Sequence, residues 1–302
     1  MRVAVLCCAL FLAVTVSAQV VEGDRHYASR AEGAQGVRAA AGPIEAAIAA
    51  YQRAVAQNAN DLDAHFKLLR AYRYKGAYVV RTTDEKKAVY GAAKKSGEAA
   101  IAAVNRVLAT KGVKPGAPEK QIADAIRGTR GAAEIYLWDA INWGEWALAY
   151  GKLAAARQGA ADRIRRQATI AHLADPRLEA GAPARVLGRL HDQTPRIPFL
   201  TGWASSKEAV RFLQESLAVD PTNKLTIVFL AEAMVANDGA TKSKAIAMLR
   251  GVVSAPNHPE YVVEDAAATE DAKALLKKWA ARPPALVGQA SFRIFPNLVS
   301  AA

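Results

Sequence analysis

Cysteine is nearly absent from this chain. Cys7 and Cys8 are the two present, and both lie in the apolar opening stretch "MRVAVLCCALFLAVTVSAQV". A chain without that stretch has neither disulfides nor thiolate metal sites. Aromatic residues make up 7% of the sequence and β-branched alternation is scarce, which disfavours sheet. Beyond the opening, no stretch approaches the roughly 20 charge-free residues that a membrane span needs. Enzyme signatures are missing as well: there is no HExxH, no phosphate-binding glycine loop and no nucleophile elbow. Five histidines, His26, His65, His172, His191 and His258, are scattered at no metal-ligand spacing, so neither a metal nor another cofactor is expected.

What is abundant is alanine, which loses no side-chain entropy in a helix. An all-α fold follows as the expectation. The opening residues read as a cleavable signal peptide. Arg2 supplies the positive end, Val3 to Val16 the apolar stretch, and Val16, Ser17 and Ala18 the small side chains before a cut after Ala18. No cysteine stands where a lipoprotein anchor needs one, so a periplasmic or secreted location is expected. Without Arg2, 39 basic residues face 28 acidic ones, a formal charge of +11. In an exported protein that excess points to carboxylate ligands, acidic partners or lipid headgroups rather than nucleic acid.

Residues 19–42 are polar, small and glycine-bearing and read as a flexible arm. A helix starts at Gly42-Pro43, with Ile44, Ala47, Ile48, Tyr51, Ala54 and Val55 on one face. "NAND" at 58–61 breaks it, and a second helix places Ala64, Leu68, Ala71 and Tyr72 inward. The pair recurs. Ala47, Tyr51, Ala54, Leu68 and Tyr72 are matched 162 residues later by Ala209, Leu213, Ser216, Leu230 and Met234, and the turn residues Asn58 and Asp61 by Asp220 and Asn223. Ala245, Leu249 and Val252 repeat the first three again. Between the copies, helices are expected over 83–110, 119–129, from "AAEIYLWDAINWGEWALAYGKLAAARQ", and over 160–174. The stretch 175–206 carries four prolines and three glycines and reads as an irregular connection near 175–205. The repeat domain is placed at 43–280, and 281–302 is expected to be an extended tail.

Two groups are candidates for ligand binding. Trp143, Trp146 and Tyr150 fall at spacings of three and four, with Trp138 a turn earlier. Such a stripe can line a groove for an apolar or sugar-like ligand, or fill ordinary space between helices. Arg185 and Arg189 share one helix face and, with His191 and Trp203, suit a carboxylate or phosphate. They can equally pair with Glu179, Asp192 or Glu208. The neighbours His191 and Asp192 keep a cell-envelope enzyme open as an alternative, although adjacent helical residues point apart.

The small-aromatic-small series and the Asp-Pro turns of "SLAVDPTN" and "AHLADPRL" resemble the tetratricopeptide repeat, a helical hairpin of about 34 residues. Ala59 and Leu69 depart from its pattern. The order of the aromatic helix "IYLWDAINWGEWA", the stretch "LADPRLEAGAPARVLGRLHDQTP" and "GWASSKEAVRFLQESLAVDPTN" is similar to the T component associated with some TRAP transporters. That resemblance implies helical hairpins stacked into a curved superhelix with an internal cavity, a periplasmic solute-binding protein as partner, and a homo-oligomer. It makes the tryptophan stripe and the arginine group candidates for the cavity wall. The function expected is an exported, non-enzymatic scaffold binding a protein partner or a small ligand. A generic periplasmic assembly scaffold is the alternative.

Overall fold

The computed structural model describes residues 18–197 and 201–280. The expected signal peptide, apart from Ala18, and the expected tail lie outside these residues. The described chain is helical throughout and contains no β-strand. Helix α1 covers residues 18–28. Helices α2 (Ala41–Gln57) and α3 (Leu62–Tyr74) form the first hairpin, and a π-helical turn, Lys75–Val79, leads to the long α4 (Thr83–Thr110). After α5 (Glu119–Ile126) come α6 (Ala132–Tyr150), α7 (Lys152–Arg157), α8 (Ala160–Ala174) and α9 (Leu178–Gln193). Helices α10 (Ser206–Val219) and α11 (Lys224–Asn237) form a further hairpin, and α12 (Lys242–Ser254) and α13 (Val262–Ala280) close the chain. From α2 to α4 and from α8 to α13 the elements stack on their chain neighbours, as in a solenoid. In the middle, α6 packs on α3, α4 and α8, and the short α5 lies against α8.

The repeat register seen in the sequence is also a register of burial. Ala47, Tyr51, Ala54, Leu68 and Tyr72 are all buried, and so are Ala209, Leu213, Ser216, Leu230 and Met234. Ala245, Leu249 and Val252 complete the third copy. The caps repeat as well. Asp61 accepts from the Ala64 amide at the start of α3, and Asn223 accepts from the Thr226 amide at the start of α11. Both carboxyl-side caps, Asn58 and Asp220, have φ −138° and ψ 94°. Small residues at the crossings let the helices approach. At Gly188 an added Cβ would lie 2.6 Å from Leu213 Cγ and 3.0 Å from the Ala209 carbonyl, so α9 and α10 meet almost backbone to backbone. Elsewhere the ends are set by capping. Thr82 Oγ1 accepts from the Glu85 amide while Glu85 returns a bond to the Thr82 amide, a reciprocal box that starts α4.

Two expectations change in detail. The segment expected to be a loose arm is helical over 18–28 and docked. Val20 and Tyr27 are buried, and Asp24 accepts from the Tyr51 hydroxyl at 2.8 Å and from Lys67 Nζ at 2.7 Å. Its polar residues are spent on buried partners, which composition alone cannot reveal. The proline-rich stretch is irregular at its two ends, yet its middle is a buried helix. Pro183 is tolerated because the three residues before Ala182 are not right-handed helical, so Pro183 sits in a first turn where its missing amide has no partner to lose.

The solenoid's two ends touch. Arg30, just after α1, donates from Nε to Glu264 Oε1 on α13 at 3.1 Å and lies 3.0 Å from it through Nη2. Val263 and Ala267 of α13 share an apolar cluster with Tyr27, Ile44 and Leu68. The curve therefore closes on itself across a sequence separation of 234 residues.

Candidate functional site

The tryptophan stripe lies in the core. Trp138 and Trp143 are each 2% exposed and Trp146 6%. The stripe packs edge-to-face and then stacked: Trp143 to Trp146 at 5.4 Å between centroids, Trp146 to Tyr150 at 4.8 Å. Lys94 of α4 covers both indoles, its Nζ 4.7 Å from Trp143 and 5.0 Å from Trp146, and Arg163 covers Trp143 from α8. The indoles are thus largely covered, and Tyr150, at 41% exposure, is the member of the stripe most open to solvent. Of the two readings of that stripe, the packing favours space-filling between α4, α6 and α8.

The second group is divided between two faces of α9. Arg185 and Arg189, four residues apart, do share one face, and it turns toward α11. Arg189 donates from Nη1 to Asp192 Oδ2 at 2.9 Å and to Glu232 Oε2 at 2.7 Å, with its guanidinium over the Phe229 ring. Arg185 donates to Thr226 Oγ1 at 3.1 Å and to the Ala180 carbonyl at 3.3 Å. Burial pushes its pKa down to about 10, with Glu179 and Asp220 only partly compensating. His191 is two residues from Arg189 and so points the other way. It stacks on Phe212 at 5.7 Å and meets the edge of Trp203 at 5.2 Å. Trp203 in turn donates from Nε1 to Asp162 at 3.0 Å. Burial holds His191 below the usual histidine range. Its carboxylate neighbour, Asp192, is engaged by Arg189 and Gln193.

A third constellation, unmarked in the sequence, occupies the side where the first, middle and last elements face one another. Tyr27 and Arg30 come from α1 and the turn after it, Arg70 and Tyr74 from α3, Glu179 from the start of α9, and Tyr261 and Glu264 from the start of α13. The Arg30 guanidinium lies 4.8 Å from the Tyr27 centroid, 5.5 Å from Tyr74 and 5.8 Å from Tyr261. Arg70 lies 4.1 Å above the same Tyr27 ring and 5.9 Å from Phe66. Its Nη1 stands 3.9 Å from Glu179 Oε1. Behind these, Arg73 donates to the Tyr78 hydroxyl at 2.9 Å and faces Glu145 at 3.5 Å.

Electrostatics and exposure make this face unlike a dry core. Burial works against the Arg70 charge, yet Tyr27 and Glu179 outweigh it and hold its pKa above the usual arginine value. Burial lifts the Tyr27 phenol despite Arg70 and Arg30 beside it. Both Arg70 and Glu179 lie deep among other groups, but solvent still reaches 20% of the Arg70 side chain and 17% of that of Glu179. The pair is thus partly open to solvent.

The residue opposite Arg70 is held by an unusual backbone. Glu179 has φ 46° and ψ 54°, Ala180 φ 54° and ψ 44°, and Gly181 φ 76° and ψ 21°, a left-handed turn of three consecutive residues. For an L-residue with a Cβ this conformation costs about 1–2 kcal/mol each. Gly181 is required by space as well as by φ, since a Cβ there would lie 3.0 Å from the Ser216 carbonyl. Strain of this kind persists where surrounding contacts over-determine it, and it concentrates at binding and switch sites.

The signal that could have exposed this face was the interleaving of Arg70 and Arg73 with Phe66 and Tyr74 along one helix. An arginine in a repeat helix ordinarily reads as solvated surface, and the partners Tyr27, Glu179 and Tyr261 lie far away in sequence. Among the described residues, no group of three or more His, Cys, Asp or Glu side chains is placed to hold a metal ion, and no helix is long and apolar enough to cross a membrane. No protein-family profile matches this chain, and no curated protein matches it.

Proposed function

We propose that this chain is an exported, non-enzymatic scaffold of tetratricopeptide-like hairpins that binds a small ligand or a protein segment on its inner face. The observation that carries the reading is the Arg70–Glu179 contact, deep in the molecule, loosely made and still reached by solvent. Aromatic rings around a guanidinium make a surface suited to an anionic group with an apolar body. The closed curve supports the same reading, because contact between the first and last elements holds Tyr27, Arg30 and Arg70 close to Tyr261 and Glu264. A periplasmic location and a role beside a TRAP-type transporter, with a solute-binding protein as partner, belong to this proposal through the resemblance over most of residues 45–255. The homo-oligomer it implies is part of the proposal too.

Native mass spectrometry of the chain purified from a cell envelope without refolding tests the reading. A retained small molecule, or co-purification of a solute-binding protein, supports it. A bare monomer that captures neither contradicts it. Capture of a protein with no retained small molecule favours the assembly-scaffold form.

A further inference from the structure

Arg70 is an interior arginine for which no hydrogen bond to the rest of the described chain is made. A guanidinium carries five N–H donors in a fixed fork. Arg30 and Arg189 each donate to carboxylates at 2.7–3.1 Å, although Nε of Arg189 and Nε and Nη2 of Arg73 are also buried without a hydrogen-bond partner. Arg70 makes no hydrogen bond within the described residues, its Nε is buried without a partner, and its carboxylate neighbour stands at 3.9 Å. That distance is too long for a hydrogen bond. Leaving charged donors unsatisfied in such a place is destabilising. The carboxylate that falls short, Glu179, sits on the strained left-handed turn.

We propose that the Arg70 guanidinium is a carboxylate subsite, in which a ligand carboxylate takes the fork by displacing Glu179, its intramolecular placeholder. This rests on the reading of the inner face as a binding surface. The fork accepts two oxygens in one plane, as a carboxylate presents them. Tyr27 covers one face of the guanidinium and Phe66 lies near it, so the group attached to that carboxylate is apolar. Glu179 and Glu264 both stand close by, and their negative charge disfavours a phosphate dianion against a monoanion.

Isothermal titration at fixed ionic strength tests this with hexanoate, hexanamide and inorganic phosphate against the wild type, Glu179→Gln and Arg70→Lys. Hexanoate is expected to bind the wild type at least tenfold more tightly than hexanamide or phosphate. Glu179→Gln, which keeps the shape and removes the competing charge, is expected to tighten hexanoate by about tenfold, which corresponds to roughly 1.4 kcal/mol. Arg70→Lys keeps the charge and loses the fork, and is expected to weaken it at least tenfold with an unchanged melting temperature. Equal hexanoate affinity in Arg70→Lys, no tightening in Glu179→Gln, or stronger binding of phosphate overturns the assignment. A molecule retained in native mass spectrometry with no hexanoate response removes the subsite and leaves the broader binding reading standing. Hexanoate binding with neither a retained molecule nor a captured protein supports the subsite and removes the transporter-partner part of the broader reading.

Discussion

Replacing Ala180 by glycine is expected to stabilise this protein, although the residue lies inside a segment with helical hydrogen bonding. Its φ of 54° is left-handed. Removing the Cβ relieves about 1–2 kcal/mol of steric strain. Glycine's additional freedom in the unfolded chain takes back about 0.5–1 kcal/mol. The difference is a gain of about 0.5–1 kcal/mol, or a rise of about 1–4 °C in Tm for a chain of this size. Ala99 is the control, because it is exposed on right-handed α4; Ala99→Gly should destabilise by about 1 kcal/mol. Urea unfolding followed by far-ultraviolet circular dichroism reads both variants on one scale. Opposite signs support the strained turn. A loss for Ala180→Gly as large as that for Ala99→Gly refutes it, and with it the argument that Glu179 is held in place at an energetic cost.

The equivalent caps Asp61 and Asn223 should respond alike: Asp61→Ala and Asn223→Ala each lose about 1 kcal/mol in urea unfolding, and a loss confined to one hairpin would break the equivalence of the two repeats. Trp143→Ala is expected to cost about 3–5 kcal/mol as a core truncation; a loss under about 1 kcal/mol would return the stripe to an open wall. Burial lifts the Asp139 carboxyl above the usual aspartate range, against the pull of Arg163 and Gln167. The folded chain then keeps a proton that the unfolded chain releases near pH 4, so this group's contribution is full below that pH and is lost as pH rises through the folded value. Relative to Asp139→Asn, the wild type should lose stability as pH rises above about 4, and a relative gain over that rise would show the opposite shift.

The hairpins were legible because their determinants are local and repeated: a small residue at each crossing, a bulky one beside it, and a capping side chain at each turn. Ala47 and Ala209, or Asp61 and Asn223, could be paired from spacing alone. The arginine face of α9 was legible for the same reason, since Arg185 and Arg189 are one turn apart. The Arg70 face was not. Arg70 meets Tyr27, Glu179 and its other neighbours only after the solenoid has curved far enough for Arg30 to reach Glu264. Nor could spacing tell that Trp143 would be covered by Lys94 and Arg163, because a stripe on a helix buried on all sides looks the same as one bordering a groove. The docked helix at 18–28 was hidden by polar residues whose partners lie in α2 and α3.

The measurement that tests the central claim most directly is native mass spectrometry of the wild type beside Arg70→Lys and Trp143→Ala, each purified from the same envelope. The account predicts a bound mass in the wild type that is lost from Arg70→Lys at an unchanged melting temperature, and that persists in whatever fraction of Trp143→Ala remains folded. A mass retained undiminished by Arg70→Lys, or lost from folded Trp143→Ala alone, would contradict it.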